Sequence, residues 1–421
     1  MKIRSMHLEN YRCFSNFDIH FDEQLTVLVG ENGAGKTAVL DALSVFLRGI
    51  GIPNSLNPGK MLVADILIGS KPEDIAYHLE LLPTGSIGEE SKKIILEYAT
   101  VHQRTIQLSV PASLASVKKM IDAVKPISVA YMAGRIVSEQ DSVLVQNTYT
   151  PSTDAAFENS FSRTIDYAST VSWFNNADAN EARDMRDSGQ KKERPELVAV
   201  RKALSKALLG EYERPRMIND PPELGIYKKG TDNAFKVSQL SDGYRAMLAL
   251  VMDLARRMAQ AHGSDGKPGE SLLHAPAIVL IDEVELHLHP SWQQTVLNTL
   301  MEIFPNTQFI VTTHSPQVLT AIPPKHIRVL SEGKVFAVDE QTQGAEASRL
   351  LKNIFRVELR PKNLEIVKAL SDYRELVYGE KWNTPKAEEL KKKLVEHFGN
   401  DELALMDLEL HVENSKWESG L

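Results

Sequence analysis

The sequence predicts an α/β fold: a mixed, partly parallel sheet with an antiparallel β subdomain, a helical insertion and a helical C-terminal tail. Three observations carry this. Residues 277–281 and 309–311 are all-apolar runs and 25–29 is apolar but for Thr26, as strands covered on both faces require. Helix-forming stretches follow the first of them and separate the other two, the strand–helix–strand order of parallel sheets. Residues 75–81, 94–98 and 106–110 instead alternate apolar and polar positions between turn-rich segments, which reads as an antiparallel meander.

Taken in order, residues 2–8 alternate like a half-exposed strand, and the apolar run 25–29 ends at Gly30. Residues 38–47 are rich in Ala, Leu and Val without Gly or Pro, so they are helical. Residues 127–132 read as a buried strand. From about 154 to 213 the chain is polar and helix-forming, anchored by Trp173 and Phe174 and closed by Pro221-Pro222. It turns β-like near 234–237, and a helix starts at Ser241 and runs through 246–252. Residues 263–269 form a Gly-rich surface loop. Residues 326–338 read as a hairpin turning at Glu332-Gly333, and the chain from Gly344 onward is helical. There Thr384-Pro385 is an N-cap with proline at the first helical position, and Gly399 ends that helix. The expected organisation is an N-terminal half-domain at 1–135, a mainly helical insertion at 136–230, a C-terminal half-domain at 231–340 and a helical tail at 341–421.

A net charge of −8 argues against a protein coated in basic surface, although a local basic groove stays open. No run approaches the roughly 20 apolar residues a membrane span needs. The start lacks a signal peptide's apolar core, and Cys13 is the one cysteine, so a cytoplasmic location is expected.

Gly30-Glu31-Asn32-Gly33-Ala34-Gly35-Lys36-Thr37 matches the phosphate-binding loop pattern in full, between a strand and a helix. Backbone N–H groups of Asn32, Gly33, Ala34, Gly35 and Ala38 are expected to turn toward phosphates, with the helix directing its positive end there. Lys36 is expected to reach the β- and γ-phosphates of ATP, and Thr37 to offer its hydroxyl to Mg²⁺. Asp282-Glu283 ends an apolar strand, where ligands bind in parallel sheets. Asp282 is placed to hold Mg²⁺, and Glu283 to orient the attacking water. His287 and His289, two apart, invite a metal reading, but zinc needs three or four ligands and no further cluster lies nearby in sequence.

Val237-Ser238-Gln239-Leu240-Ser241-Asp242-Gly243-Tyr244 resembles the signature motif of ABC-type ATPases, with Asp242 where a glycine is usual. Ser241 is expected to cap its helix and Gly243 to approach a phosphate. Thr312-Thr313-His314-Ser315-Pro316 resembles the switch-histidine segment, which makes His314 the γ-phosphate sensor. The run from Leu8 to Phe14, with Asn10, Tyr11 and Arg12, resembles the opening of RecF-like and chromosome-maintenance relatives. By that resemblance Arg12 contacts phosphate; an ordinary surface arginine is the other reading.

These motifs identify the chain as an ABC-type ATPase of the RecF-like, chromosome-maintenance and overcoming-lysogenisation-defect group. The resemblance implies a homodimer or higher even-numbered oligomer, in which Ser241 of one copy completes the nucleotide site of another. The sequence shows no C-x-x-C hook and no long coiled-coil pattern, and the residues after the hairpin are expected to be too few for a Toprim nuclease. The stretch from Gly344 to Leu351 and the closing helical pair resemble the ATPase subunits of Septu-type and retron-associated antiphage systems. That implies a separate effector, commonly an HNH-type nuclease, with nucleic acid a further candidate partner. No membrane is expected for want of an apolar span, and no nuclease activity in this chain for want of an H-N-H arrangement or a separate carboxylate cluster. A RecF-like repair ATPase and an ATP-gated scaffold with little hydrolysis are the alternatives.

Overall fold

The computed structural model describes residues 2–51, 76–82, 94–102, 105–109, 126–133, 154–162, 165–190, 192–208, 210–218, 223–263 and 268–418. The expected loop at 263–269 therefore falls largely outside the described residues. The chain divides into two compact units, Met1–Leu350 and Leu351–Leu421.

In the first unit, strands β1 (Lys2–Tyr11) and β2 (Phe14–His20) form a hairpin, followed by β3 (Leu25–Gly30) and helix α1 (Lys36–Gly51). Strands β4 (Ala76–Leu82), β5 (Ile94–His102) and β6 (Thr105–Ser109) join the hairpin in an antiparallel sheet of order β2-β1-β4-β5-β6. Next come β7 (Ile127–Tyr131), α2 (Tyr167–Ser188) and α3 (Pro195–Ala207). The stretch expected to be mainly helical also contains two strands, β8 (Tyr212–Ile218) and β9 (Glu223–Lys228). They pair with each other and with β10 (Ala234–Lys236) in a separate three-stranded sheet.

Helix α4 (Asp242–His262) is buried along most of its length, and α5 (Gly269–Leu272) leads into β11 (Ala277–Ile281). Short α6 (Pro290–Gln293) and α7 (Val296–Ile303) precede β12 (Thr307–Thr312). After α8 (Pro316–Leu319), β13 (Ile327–Ser331) and β14 (Lys334–Ala337) make a hairpin.

The sheet that positions the site has the order β14-β13-β3-β12-β11-β7. Every residue of β3, β7, β11 and β12 is buried, and these strands run parallel. One polar side chain in this interior shows how its groups are satisfied. Gln308 on β12 accepts the Ile3 N–H at 2.7 Å and donates to the Ile3 and Asp22 carbonyls at 2.7 and 2.9 Å, clamping β1 to the parallel sheet. Leu8, Phe14, Leu43, Phe46 and Leu280 belong to one core shared by both sheets and α1.

In the second unit, α9 (Ala347–Asn353) crosses the boundary, and α10 (Glu365–Tyr378), α11 (Pro385–Phe398) and α12 (Leu403–Glu418) follow. Leu370, Tyr373, Val377, Leu394 and Leu408 form their core. Thr384 accepts the Ala387 N–H at the start of α11, with proline at its first position.

Candidate functional site

Because β3, β12 and β11 are parallel neighbours, their C-terminal ends lie side by side, where ligands bind such sheets. Gly30, Asp282 and Thr312 stand at those three ends. Beyond β3 the chain turns through Gly33 at φ 83° and Gly35 at φ 96°. Both are left-handed values that favour glycine. At Gly35 a side chain is excluded twice over, since a β-carbon would lie 2.3 Å from Phe14 Cζ and 2.8 Å from Cys13 Sγ. The tip of the β1–β2 hairpin thus packs directly on the phosphate-binding loop.

Lys36 is buried and donates to the carbonyls of Gly30 at 2.8 Å and Glu31 at 2.9 Å. Burial pushes its ammonium below the usual lysine range, while the carboxylates of Asp282, Glu283 and Glu285 act in the opposite direction. Asn32 and Gly33 are exposed, Ala34 and Gly35 half-buried. The Ala38 side chain is buried in the core, so only its backbone can face a ligand.

Thr37 Oγ1 donates to Asp282 Oδ2 at 3.1 Å, which joins the two sequence motifs across 245 residues. Thr312 Oγ1 donates to the other carboxylate oxygen at 2.6 Å and accepts the Glu283 N–H at 2.7 Å. One hydroxyl therefore fixes both acidic residues. It also braces Glu283 at φ 49°, a conformation that non-glycine residues seldom adopt. None of the sequence motifs assigns Thr312 a role. Its signal is weak, a threonine at the last position of an apolar strand.

His314 is exposed, and its backbone N–H donates to Glu285 Oε1 at 2.6 Å. Ser315 caps α8, accepting the Gln317 and Val318 N–H groups, and donates to Gln293 Oε1 at 2.6 Å. His289 occupies the N-cap of α6 and accepts the Ser291 N–H. Among the described residues no cluster of three His, Cys, Asp or Glu is arranged to hold a metal.

One expectation changes. Ser241 stands at the N-cap of α4, but its side chain makes no cap hydrogen bond, so its hydroxyl is not used to satisfy the helix. Asp242, in the first turn, instead pairs with Arg245 one turn on. Gly243 has a packing reason as well as the expected phosphate one, because a β-carbon there would lie 2.7 Å from the His287 carbonyl oxygen. Arg12, at φ 48° in the two-residue hairpin turn, donates to Asp41 Oδ2 on α1 at 2.6 Å and lies over the Tyr11 ring. Its guanidinium is thus held one turn along α1 from Thr37.

A family described as "AAA ATPase domain" matches residues 1–126, and one described as "AAA domain, putative AbiEii toxin, Type IV TA system" matches residues 147–320. The "Retron Ec83 probable ATPase" of Escherichia coli is 28% identical over 99% of this chain and 88% of its own length. Septu protein PtuA of Bacillus mycoides is 25% identical over 79% of this chain and 41% of its own length. Among solved structures, the SMC head domain from Thermotoga maritima aligns with a TM-score of 0.46 at 17% identity, covering 81% of this chain and 100% of that one. No helix among the described residues is long and apolar enough to cross a membrane.

Proposed function

We propose that this ABC-type P-loop ATPase, similar in sequence to retron and Septu ATPases, hydrolyses Mg-ATP between two copies of itself and thereby controls a separate effector. The observation that carries the hydrolytic part is the chain Thr37–Asp282–Thr312–Glu283, in which a phosphate-loop hydroxyl, an acidic strand end and the neighbouring glutamate are linked by hydrogen bonds. Two hard oxygen donors 3.1 Å apart suit Mg²⁺, which takes one or two protein groups and completes its shell with phosphates and water. Thr37 and Asp282 would hold it, and it would supply charge neutralisation on the phosphates.

This chain's own residues would do the rest. Lys36 trades its loop carbonyls for phosphate oxygens, and the backbone of residues 32–38 cradles them. Glu283 orients the attacking water and accepts its proton, while the His314 imidazole donates to the γ-phosphate. Arg12, held by Asp41 through one guanidinium nitrogen, is the further phosphate contact. In the dimer, Ser241 and Gly243 of one copy close on the nucleotide of the other; the exposed Ser241 hydroxyl, unused as a cap, supports this. A role in a retron- or Septu-like system is supported by the likeness to those proteins, and the nuclease as effector by the family resemblance of the tail.

Steady-state phosphate release and light scattering test the cycle together. Glu283→Gln is expected to lower kcat by about a hundredfold or more while keeping ATP bound and the dimer closed. Lys36→Ala is expected to lose nucleotide binding. Normal turnover by Glu283→Gln overturns the role of Glu283, and a monomeric Glu283→Gln in saturating Mg-ATP overturns the dimer. Co-purification with the products of the neighbouring genes, a small nuclease among them being the expected result, tests the effector.

A further inference from the structure

The ends of β11 and β12 exchange hydrogen bonds in both directions. Thr312, on β12, takes the backbone N–H of Glu283 at 2.7 Å. Glu285, two residues beyond Glu283, reaches back and takes the backbone N–H of His314 through Oε1 at 2.6 Å. The first bond sets the residue proposed to orient water, and the second sets the residue proposed to sense the γ-phosphate. A carboxylate accepting a backbone N–H is a short, charge-assisted bond and a stiff tether.

The rest of the His314 turn is held from other sides. Thr313 donates its N–H to the Leu28 carbonyl at 3.1 Å, the Ser315 N–H goes to Thr313 Oγ1 at 3.0 Å, and Ser315 Oγ goes to Gln293. These bonds fix the residues before and after His314. Glu285 fixes His314 itself, and its side chain belongs to the site's electrostatics, since it is one of three carboxylates acting on Lys36. Its second oxygen, Oε2, is buried without a hydrogen-bond partner, which is not what a carboxylate kept only for structural satisfaction would show.

We propose that Glu285 is a positioning residue for ATP hydrolysis, which sets where the His314 imidazole stands relative to Glu283 by accepting the His314 N–H. This rests on the reading that the chain hydrolyses ATP with Glu283 and His314. Glu285 acts through the backbone of His314, so a glutamine, which keeps an acceptor oxygen at the same reach, substitutes for it. Shorter side chains do not.

The test uses the full chain with Glu285→Ala, Glu285→Asp, Glu285→Gln, His314→Ala and the Glu285→Ala/His314→Ala pair, measuring phosphate release and binding of a fluorescent ATP analogue. Glu285→Ala and Glu285→Asp are expected to lower kcat roughly tenfold or more with analogue affinity little changed. Glu285→Gln is expected to keep most of the wild-type rate. The double variant is expected to be no slower than His314→Ala alone. Should the alanine variant fail to fold, the contrast between Asp and Gln decides the question by itself. Full speed in Glu285→Asp, a glutamine variant as slow as the aspartate one, or multiplying losses in the double variant overturns the assignment. A wild-type chain that binds the analogue yet releases no phosphate overturns the hydrolytic reading and this assignment with it; a hydrolysing wild type beside a fast Glu285→Asp overturns this assignment alone.

Discussion

Helix α4 begins in solvent and continues into a buried network of charged and polar side chains. At its N-terminus Ser241 and Asp242 are exposed, and their side chains do little for the fold. Three turns on, Asp253 is fully buried, with Oδ2 accepting from the Tyr131 hydroxyl at 2.9 Å and from Arg257 Nε at 2.7 Å. Oδ1 accepts from Arg256 at 2.7 Å and Thr170 at 3.3 Å, and Arg257 goes on to the Ala156 and Glu158 carbonyls. Burial alone would raise the Asp253 carboxyl, but the two guanidiniums outweigh it and hold it far below the usual carboxylate range. Tyr131 is shared, since its carbonyl accepts the Asp282 N–H at 2.8 Å. The buried part of α4 is thus tied to the strand end that carries Asp282, and its exposed start is held out from a rigid anchor.

Breaking the anchor has the largest expected effect. Asp253→Ala leaves two buried guanidiniums without their carboxylate, and about 3–5 kcal/mol of stability is expected to go, read from denaturant unfolding. The sign with pH follows from the depressed carboxyl. Its contribution is present above about pH 4, the unfolded aspartate range, and is lost as pH falls through the lower folded value. The variant's acid limb is therefore expected to be shallower than the wild type's. A second break lies at the junction of motif and anchor. Gly243→Ala places a methyl against the His287 carbonyl, backbone that cannot swing aside as a side chain can. A loss of about 1–3 kcal/mol is expected. Phosphate release is expected to fall as well, because the displaced segment continues back to Glu283.

Much of this is legible in the sequence because it is local. The all-apolar strands announce burial on two faces, and the motifs at 30–37 and 282–283 sit where such strands end. The hairpin at Glu332-Gly333 and the Thr384 cap each need only a few neighbouring residues. What the sequence hides depends on partners far away. Asp253 directly follows the apolar helical run 246–252, and its pairing with Tyr131 spans 122 positions. Thr312 and Thr313 are adjacent hydroxyls; only the register of β12 against β3 and β11 decides that the first faces Asp282. Strands β8 and β9 hide within a stretch whose composition reads as helical, since each is short and its pairing with the other is not announced by either segment alone. Ser241 shows the reverse error, a residue type suited to capping at the right position whose side chain makes no cap bond.

Ser241→Ala is the smallest expected change in stability and the sharpest test of the comparison. An N-cap serine in ordinary use contributes about 1 kcal/mol, and its removal would show in denaturant unfolding. Here the hydroxyl makes no such bond, so unfolding is expected to shift by no more than about 0.5 kcal/mol. The same substitution placed in the Glu283→Gln background is expected to weaken the proposed ATP-dependent dimer, followed by light scattering across protein concentration. A stability loss with an unchanged dimer would make Ser241 a cap after all, and the exposed end of α4 would then serve its own fold. An unchanged fold with a weakened dimer separates the two ends of the helix, one holding the molecule together and the other presented to a second copy.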